Sequence, residues 1–401
     1  MKFNTSKKLF AHIDCDSFFA ECEILRNPSI KNDYVLVGEE IILACNYKTK
    51  ALGIKTGTPI WKARDILKGK GVYLRGDHDF YSLVSSKLMM YLEENTTYVE
   101  PFSIDEAFCD ITGLPELYNL DLETYVKKLQ KDIIKFVGVP VSIGVSTTRI
   151  KAKIFSKINK PLGVFIDTGN SREIYEKLEI GIVPFIGKSM QEKLKHRCKN
   201  IYDFIKIGYF NLKKDLGKTS TDLWLELSGV NAFKLRKSSI SKSISRGRSF
   251  NKNINSDFEF LLKEIILNFN HLFEELTLKN FETKKVSIFF RNKQKQTIIF
   301  HYSLPCYTRD RKVLLEVVKK MMSLYFDSKI LYRSTGLVFS SLKDKSFHQT
   351  NIFEKRVVFN DNKKEIYTIV NEINKKYDTH KVSFGMDLVD KNFSSKLGIR
   401  K

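Results

Sequence analysis

Two pairs of carboxylates have the residue types and the spacing to bind a metal ion. Asp14 and Asp16 directly follow a short apolar run near the N-terminus, and Asp105 and Glu106 are adjacent within the segment SIDEAF. A run that short and apolar, ending in carboxylates, predicts a buried strand with a charged tip. Carboxylates that share a site repel one another unless a cation lies between them, and hard oxygen ligands suit Mg²⁺. Two such ions would support phosphoryl chemistry.

Adjacent carboxylates on a flat strand cannot serve one site, because neighbouring side chains point to opposite faces. A turn or a bulge must therefore redirect Asp105 or Glu106, and Pro101 just before them favours a bend. The residues alone leave a second interpretation open, in which these acids are solvated or paired at the surface.

The overall composition predicts a folded multidomain protein with a polyanionic partner. The chain has 401 residues, 42% hydrophobic and 12% aromatic, so about two to four domains with real cores are expected. Lys and Arg total 68 against 46 Asp and Glu, which gives a net charge of +22. An excess this large favours nucleic acid as the partner, with an anionic membrane surface as the weaker alternative.

Cysteine usage and hydropathy predict a cytoplasmic protein. The six cysteines are scattered without a C-x-x-C pair, so neither a zinc site nor a disulfide framework is expected. Reduced thiols of this kind are typical of the cytosol. No apolar run approaches the roughly 20 residues of a membrane span, and the N-terminus has no signal-peptide core. We expect a monomer without a membrane partner.

Hydrophobic periodicity predicts the elements around the acids. The segment HDFYSLVSSKLMMYLEEN has apolar residues at helical spacing, and VPVSIGVS is typical of a buried strand. The next segment, TTRIKAKIFSKINKPLG, predicts a basic amphipathic helix that Pro161 and Gly163 stop.

The C-terminal half predicts a separate small sheet. The segment KLRKSSISKSISRGRSF is basic, rich in serine and without periodicity, which indicates a linker or a solvated loop. Ser256 and Glu259 have the spacing of a capping box at the start of a helix. With RGRSFNKNI as its first strand, the order is β-α-β-β-α-β, a sheet with helices on one face.

The two acidic segments, HIDCDSFFA and VEPFSIDEAF, resemble in this order the two catalytic motifs of the Y-family translesion DNA polymerases. The S-I-D-E-A string is highly specific to that family. ACNYKTKALGIKTGTP is similar to the family's fingers segment, and VPFIGKSMQEKL is similar to the helix-hairpin-helix of its thumb. The resemblance extends over residues 1–343.

The resemblance implies an α+β multidomain fold, a right-hand polymerase with palm, fingers, a helical thumb and a β-α-β-β-α-β little-finger domain. The implied boundaries are: palm 1–17 and 85–170, fingers 18–84, thumb 171–233, linker 234–243, little finger 244–343 and C-terminal tail 344–401.

The resemblance also implies the metal site and the reaction. Asp14, Asp105 and Glu106 correspond to the metal-binding carboxylates, and the backbone carbonyl of Cys15 completes a shell around two Mg²⁺ ions. A template-directed attack of the primer 3′-oxygen on the α-phosphate of a deoxynucleotide is then expected. Low fidelity, no proofreading and synthesis past damaged bases are implied as well. Asp16 lies in the motif, but a structural role is expected for it.

Five residues correspond to the family's nucleotide pocket or its surroundings. Phe19 is implied as the ring that packs under the sugar and excludes a 2′-hydroxyl, whereas Phe18 is expected in the core. Tyr47, Lys50 and Lys160 are implied as contacts of the triphosphate. Many relatives have arginine at the place of Lys50, and lysine lacks the bidentate fork of arginine. Lysine at this place fits the UmuC-like branch better than the DinB-like one, and the assignment to either branch stays open.

Five further residues are expected on the path of the DNA. Gly187 permits a tight turn whose N–H groups, together with Lys188, hold a phosphate without reading sequence. Lys242, Arg246 and Arg248 in the basic linker are expected to lie along the duplex and to supply salt-dependent affinity.

The segment HQTNIF resembles the peptide that bacterial polymerases insert into the sliding clamp. Gln349, Ile352 and Phe353 carry this resemblance, and Thr350 stands where leucine is often found. Simple docking of the tail is the alternative. The expected partners are therefore primer–template DNA, a deoxynucleoside triphosphate and a sliding clamp, with association to the nucleoid during work on DNA.

Two other functions stay open at this point. A non-catalytic DNA-binding relative is one, although the intact Asp14, Asp105 and Glu106 argue against it. A two-metal nuclease or a nucleotide cyclase is the other, because palm-like sheets share acidic tips. Primer extension, DNA degradation and pyrophosphate release without DNA distinguish these activities.

Overall fold

The computed structural model describes residues 8–169, 171–233, 241–250, 256–344 and 373. The chain divides into two compact units, Met1–Ser238 and Ser239–Lys401. Within the described residues, none of the helices combines the length and the apolar character needed to cross a bilayer.

Two sheets lie in the first unit. The order of the five-stranded sheet is β5-β6-β1-β7-β8, and that of the three-stranded sheet is β3-β2-β4. The strands β1 to β8 are, in chain order, Phe10–Cys15, Val35–Gly38, Ile42–Cys45, Val72–Leu74, Tyr98–Pro101, Glu106–Asp110, Val141–Ser146 and Val164–Ile166.

The centre of the larger sheet is β1, which pairs antiparallel with β6 on one side and β7 on the other. Ile13, Ala107 and Val145 from these three strands are fully buried in one hydrophobic core. A central strand covered on both faces reads as a continuous apolar run, which explains the pattern before Asp14. The pairing of β1 with β6 therefore fixes the position of the acidic ends of these two strands relative to each other.

Helices surround these sheets and continue into a helical segment at the end of the unit. The helices α1 to α12 are, in chain order, Phe18–Arg26, Tyr47–Lys50, Ile60–Leu67, His78–Asn95, Leu114–Leu117, Leu122–Val137, Arg149–Phe155, Arg172–Lys177, Lys188–Leu194, Ile201–Ile207, Tyr209–Leu216 and Lys218–Leu227. The prediction of a helix over HDFYSLVSSKLMMYLEEN is confirmed, with the Asp77 carboxylate accepting from the N–H of Phe80 at its start.

The helix α7 is shorter and more buried than its sequence predicts. It ends at Phe155, before Pro161 is reached, and all seven of its residues are buried. The predicted helix is therefore present, but the predictions that it is amphipathic and that Pro161 and Gly163 stop it are wrong. Gly144 on β7 makes the close packing possible, because a Cβ there would lie 2.1 Å from the carbonyl oxygen of Ala152.

Each basic side chain of α7 is neutralised by a different acid. Arg149 pairs with Glu100, Lys151 lies 2.5 Å from Asp167, and Lys153 lies 2.5 Å from Glu106. A buried ammonium or guanidinium requires such a partner, because desolvation strongly disfavours an isolated charge. The positive charges of α7 are thus paired with acids inside the protein.

The second unit has the predicted order β-α-β-β-α-β. Its elements β9, α13, β10, β11, α14 and β12 are Ser243–Ser249, Phe258–Leu278, Phe281–Asn292, Thr297–Thr308, Arg311–Tyr325 and Tyr332–Asp344. The sheet order is β11-β10-β12-β9, with every neighbouring pair antiparallel. Buried residues of the sheet and both helices form one core.

Two details of this unit differ from the sequence predictions. Part of the serine-rich segment expected to be a linker is the edge strand β9, which pairs with β12 through seven registered residues. The N-cap of α13 is Asp257, whose carboxylate accepts from the N–H of Glu259, and not Ser256. Aspartate and serine are both good N-caps, so composition alone could not choose between these neighbours.

Candidate active site

Two of the predicted carboxylates lie side by side at the end of neighbouring strands. Asp14 on β1 is directly opposite Glu106 on β6 in the antiparallel register. The ladder continues one step further, where the N–H of Cys15 donates to the carbonyl oxygen of Asp105 at 2.9 Å. The structure therefore brings together the acidic segments that are far apart in sequence.

A tight turn redirects Asp105, as the sequence requires. Pro101 on β5 pairs with Ala107 on β6, so the chain reverses between them. The N–H groups of Phe102 and Ser103 both donate to the carbonyl oxygen of Glu106, at 3.0 and 3.1 Å. The need for a turn before the paired acids is confirmed.

The acids form a group that could hold a metal ion. One ligand atom each from His12, Asp14 and Glu106 lies within 4.8 Å of the other two. His12 Nε2 is buried and lies 3.3 Å from Glu106 Oε2. It forms no hydrogen bond of good geometry with any described residue. Carboxylate oxygens suit a hard cation such as Mg²⁺. The two carboxylates of this group fit the implied metal, whereas the predicted third acid, Asp105, is on the adjoining turn and is not part of the group.

Sequence reasoning missed His12. It lies two residues before Asp14, and alternation along a strand places the two side chains on the same face. Its Nδ1 lies 2.8 Å from the hydroxyl of Ser156 just beyond α7. Burial lowers the pKa of His12, so its imidazole is neutral near pH 7. The two-residue period of a strand was the signal in the sequence that could have identified His12.

Lysines neutralise these acids. Lys160 binds Asp14 and also lies 3.3 Å from Asp16, and Lys153 lies 2.5 Å from Glu106. Burial would raise the pKa of Glu106, but the contacts with His12 and Lys153 outweigh it and hold the value at about 2. Asp14 and Glu106 are thus not freely solvated, whereas the pairing that the alternative allowed is observed, with Lys160 and Lys153 as the partners.

The pKa values of Asp14 and Asp105 are raised, whereas that of Glu106 is lowered. Burial raises the pKa of Asp14, and the charge of Lys160 offsets only part of this effect. Burial also raises the pKa of Asp105, with a further contribution from the charge of Glu106. Both shifts are relieved by a nearby positive charge. The arrangement consequently favours cation binding between the two strand ends.

Asp16 is a structural residue, as the sequence analysis expected. Its side chain is fully buried and accepts from the hydroxyl of Ser142 and, at 2.7 Å, from the N–H of Leu162. The hydroxyl of Tyr47 also donates to it at 3.4 Å. Asp16 therefore fixes the segment that carries Lys160 relative to the central strand.

The three predicted triphosphate contacts lie around this carboxylate. Tyr47 and Lys50 are on the short helix α2, which Asn46 caps by accepting from the N–H of Thr49. The ammonium of Lys50 lies 4.3 Å from the centroid of the Tyr47 ring and donates to Ser17 at 2.7 Å. Burial lowers the pKa of Lys50.

Phe18 and Phe19 have different environments. Phe18 is 4% exposed and belongs to the core, as expected. Phe19 is only partly buried, and its ring stacks on Tyr81 with centroids 4.5 Å apart and planes inclined by 15°. The hydroxyl of Tyr81 donates to the buried carboxylate of Glu23 at 2.7 Å. This backing fixes the position of the Phe19 ring.

The turn at VPFIGK differs from its prediction. Gly187 has an extended backbone, with φ −79 and ψ 176, and a Cβ there would meet nothing within 4 Å. The left-handed residue is Phe185, with φ 68. The prediction that Gly187 permits the tight turn is therefore wrong. Its N–H and the exposed Lys188 are nevertheless at the start of α9.

The basic residues of the second unit are on a strand. Lys242 and Arg246 are exposed, whereas Arg248 on β9 is half-buried and lies 3.4 Å from the carboxylate of Glu264 on α13. Strand alternation places Arg246 on the same side of the sheet as Arg248. Arg248 is thus partly committed to an internal ion pair. Gln349, Ile352 and Phe353 lie outside the described residues.

Family models match both units. The model of the impB/mucB/samB family matches residues 13–157, and that of the impB/mucB/samB family C-terminal domain matches residues 241–352.

Similar proteins cover most of the chain. DNA polymerase IV of Staphylococcus epidermidis is 28% identical over 358 residues, which is 87% of this chain and 99% of that protein. DNA polymerase IV of Staphylococcus haemolyticus is 31% identical over 270 residues, covering 64% and 74%. DNA polymerase IV of Ureaplasma parvum serovar 3 is 26% identical over 362 residues, covering 87% and 99%.

Solved structures share the fold. A Y-family DNA polymerase chimera of Dbh and Dpo4 superposes with a TM-score of 0.69 at 22% identity, covering 83% of this chain and 98% of that chain. An insertion ternary complex of Dbh DNA polymerase gives a TM-score of 0.54 at 21% identity with the same coverage.

The fold, the acidic strand ends and the family matches together define a DNA-directed DNA polymerase. The chain belongs to the impB/mucB/samB family, the Y-family of translesion DNA polymerases. The α+β architecture expected from the sequence is confirmed.

Proposed function

We propose that this polymerase extends a primer by two-metal transfer of a deoxynucleotide to the primer 3′-oxygen, with release of pyrophosphate. One observation carries the proposal: Asp14 and Glu106 face each other in register, with Asp105 on the adjoining turn. Carboxylates at neighbouring strand ends are suitable ligands for hard cations at a phosphoryl-transfer centre.

Asp14, Asp105 and Glu106, with the backbone carbonyl of Cys15, would hold two Mg²⁺ ions. When bound, these ions would supply the positive charge that activates the attacking oxygen and stabilises the leaving pyrophosphate. Burial limits the mobility of the carboxylates, since Asp14 and Glu106 side chains are only 13% and 14% exposed. The chain itself thus contributes position and charge.

Lys160 is placed to exchange partners when the nucleotide binds. It contacts Asp14, which would bind a metal, and Asp16, which accepts a hydrogen bond from Tyr47. An ammonium held by a carboxylate that gains another cation can turn to a triphosphate oxygen at little cost. Lys50 and Tyr47 would bind the same triphosphate from α2.

Phe19 would select the sugar. Its partly exposed ring is held by stacking on Tyr81 and by the edge-to-face contact with His78, whose centroid is 5.6 Å away. A ring fixed from behind resists displacement by an added 2′-hydroxyl. We propose that this contact favours deoxynucleotides over ribonucleotides.

The resemblance to the family supports a proposal about the finer properties of synthesis. We propose low fidelity, synthesis past damaged bases and no proofreading. Primer–template DNA would be held without sequence preference by Gly187, Lys188, Lys242, Arg246 and Arg248, so that its affinity falls with salt. The division into palm 1–17 and 85–170, fingers 18–84, thumb 171–233, linker 234–243 and little finger 244–343 is part of the same proposal.

We also propose that a sliding clamp binds the tail through Gln349, Ile352 and Phe353. The support is the resemblance of HQTNIF to clamp-binding peptides. Clamp added to the wild type should lengthen the products made per binding event. The Gln349→Ala, Phe353→Ala double variant should lose this gain while its clamp-free synthesis is unchanged; an equal gain in both would refute the proposal.

Primer extension tests the main proposal directly. A primer–template, four deoxynucleotides and Mg²⁺ should give extension by the wild type and none by Asp105→Ala. Degradation of the DNA would indicate a nuclease, and pyrophosphate release without DNA would indicate a cyclase. DNA binding without any of these reactions would indicate a non-catalytic relative.

A further inference from the structure

Phe185 combines an unfavourable backbone with an exposed ring. Its φ of 68 lies in the left-handed region, which bulky residues rarely adopt, and its side chain is 54% exposed. Burial in the core therefore does not explain the residue. Backbone strain of this kind persists where the surroundings impose it and is frequent at ligand-binding sites.

The Phe185 ring is part of an aromatic group that reaches the catalytic acids. It makes an edge-to-face contact with Phe102 at 6.2 Å between centroids and lies 5.8 Å from Phe233. Phe102 as a residue is 40% exposed, and the ammonium of Lys153 lies 4.1 Å from the centroid of its ring. That ammonium also lies 2.5 Å from Glu106.

The backbone of Phe102 has a second link to the site. Its N–H donates to the carbonyl oxygen of Glu106 at 3.0 Å, within the turn that redirects Asp105. The ring is therefore fixed relative to the metal-binding acids by a main-chain hydrogen bond as well as by Lys153. A group that contacts this ring must lie close to the reacting atoms.

We propose that Phe102 and Phe185 form the apolar contact surface for the 3′-terminal nucleotide of the primer. This inference rests on the proposed function. The attacking 3′-oxygen must reach the acids, so the nucleotide that carries it must lie beside them. Two phenyl rings can contact the sugar and base edge of that nucleotide without competing for phosphates or metal. The turn at Phe185, in which the N–H of Ile186 donates to the carbonyl oxygen of Val183 at 3.2 Å, places the second ring against Phe102.

The alternative is that the rings only pack the helical segment against the sheet. The two cases differ in the effect of Phe185→Gly. Glycine adopts a positive φ without strain, so this variant removes the ring and its contacts with Phe102 and Phe233 without adding backbone strain. Packing alone would change the thermal midpoint, but it would not weaken binding of a primer end more than binding of DNA that has no such end.

The test compares two DNA ligands by fluorescence anisotropy. One has a recessed primer 3′-end, and the other is a duplex closed at both ends by loops, so it has no 3′-end. Phe185→Gly and Phe102→Ala should each weaken binding of the recessed primer about tenfold, as removal of a base-stacking ring does. Binding of the closed duplex should stay within twofold of the wild type.

Phe210→Ala is the matched control, because Phe210 is an 83% exposed phenylalanine on α11. It should bind both ligands as the wild type does. If Phe185→Gly loses thermal stability, the comparison of the two ligands still decides the question, because a general loss of stability would weaken binding of both.

Equal binding of the recessed primer by the wild type, Phe185→Gly and Phe102→Ala would overturn the inference. The same would follow from equal losses on both ligands. The proposed function fails separately, if the wild type itself does not extend the primer. Extension by the wild type together with unchanged primer affinity in both variants would therefore remove this inference alone.

Discussion

Asp14 and Glu106 occupy directly opposite positions on two antiparallel strands, and each carboxylate contacts its own lysine. Lys160 binds Asp14, and Lys153 lies 2.5 Å from Glu106. Two ammonium groups therefore lie beside the acids before any metal or nucleotide is bound. Because strand pairing fixes the backbone of both acids, we expect a metal to replace Lys160 at Asp14 without movement of the sheet.

Phe19→Ala should raise the incorporation of ribonucleotides relative to deoxynucleotides by about a hundredfold, since the ring that blocks the 2′-hydroxyl is lost. Single-nucleotide insertion with each substrate measures this ratio. Phe18→Leu is the matched control, because Phe18 is 4% exposed in the core and leucine keeps an apolar side chain there. An unchanged ratio in Phe19→Ala would show that Phe19 is only a packing residue.

Lys50→Ala should raise the KM for the incoming nucleotide by roughly 10- to 100-fold, because a hydrogen bond to a charged phosphate is lost. Lys50→Arg should keep most of the affinity, since a guanidinium binds phosphate well. Steady-state insertion at varied nucleotide concentration gives these values, and anisotropy checks that DNA affinity is unchanged. An unaltered KM in Lys50→Ala would exclude the triphosphate role.

Asp167→Asn should destabilise the protein at pH 7 by about 3 kcal/mol, because it leaves the ammonium of Lys151 buried without its partner. Lys151 and Asp167 side chains are 8% and 6% exposed and 2.5 Å apart. Urea unfolding measures the difference. Asp132→Asn is the control, since its pair with Lys128 is exposed and should contribute less than about 1 kcal/mol.

The same pair gives a pH dependence with a definite sign. Burial would raise the pKa of Asp167, but the hydrogen bond and charge of Lys151 outweigh it and lower the pKa below its ordinary value. The carboxylate therefore contributes full stability above the unfolded pKa of about 3.9. This contribution is lost as the pH falls through the lower folded pKa. A stability difference between wild type and Asp167→Asn that grows on acidification would contradict the assignment.

The order and type of the main elements could be predicted from the sequence. The run before Asp14 and the segment VPVSIGVS are buried strands, because continuous apolar runs mark strands covered on both faces. The order β-α-β-β-α-β was also correct. Tertiary packing overrode local signals at α7, whose basic residues each meet an acid that lies far away in the sequence.

The site was predicted in part. The family resemblance implied that Asp14 shares a site with the SIDEAF segment, whereas the contacts of Asp16 with Ser142 and Leu162 depend on long-range packing. The left-handed residue in VPFIGK could not be identified, because glycine two positions later was the stronger local signal for such a conformation. The observed backbone reverses that expectation.

Primer extension by the wild type, Asp105→Ala and Asp132→Asn tests the central claim most directly. Asp105 lies on the turn beside Glu106, while Asp132 is an acid on the exposed side of α6. With Mg²⁺ and all four deoxynucleotides, the wild type and Asp132→Asn should extend the primer. Asp105→Ala should not, although its DNA affinity should match that of the wild type, because basic residues supply the binding. Extension by Asp105→Ala at the wild-type rate would contradict the assignment of the metal-binding acids.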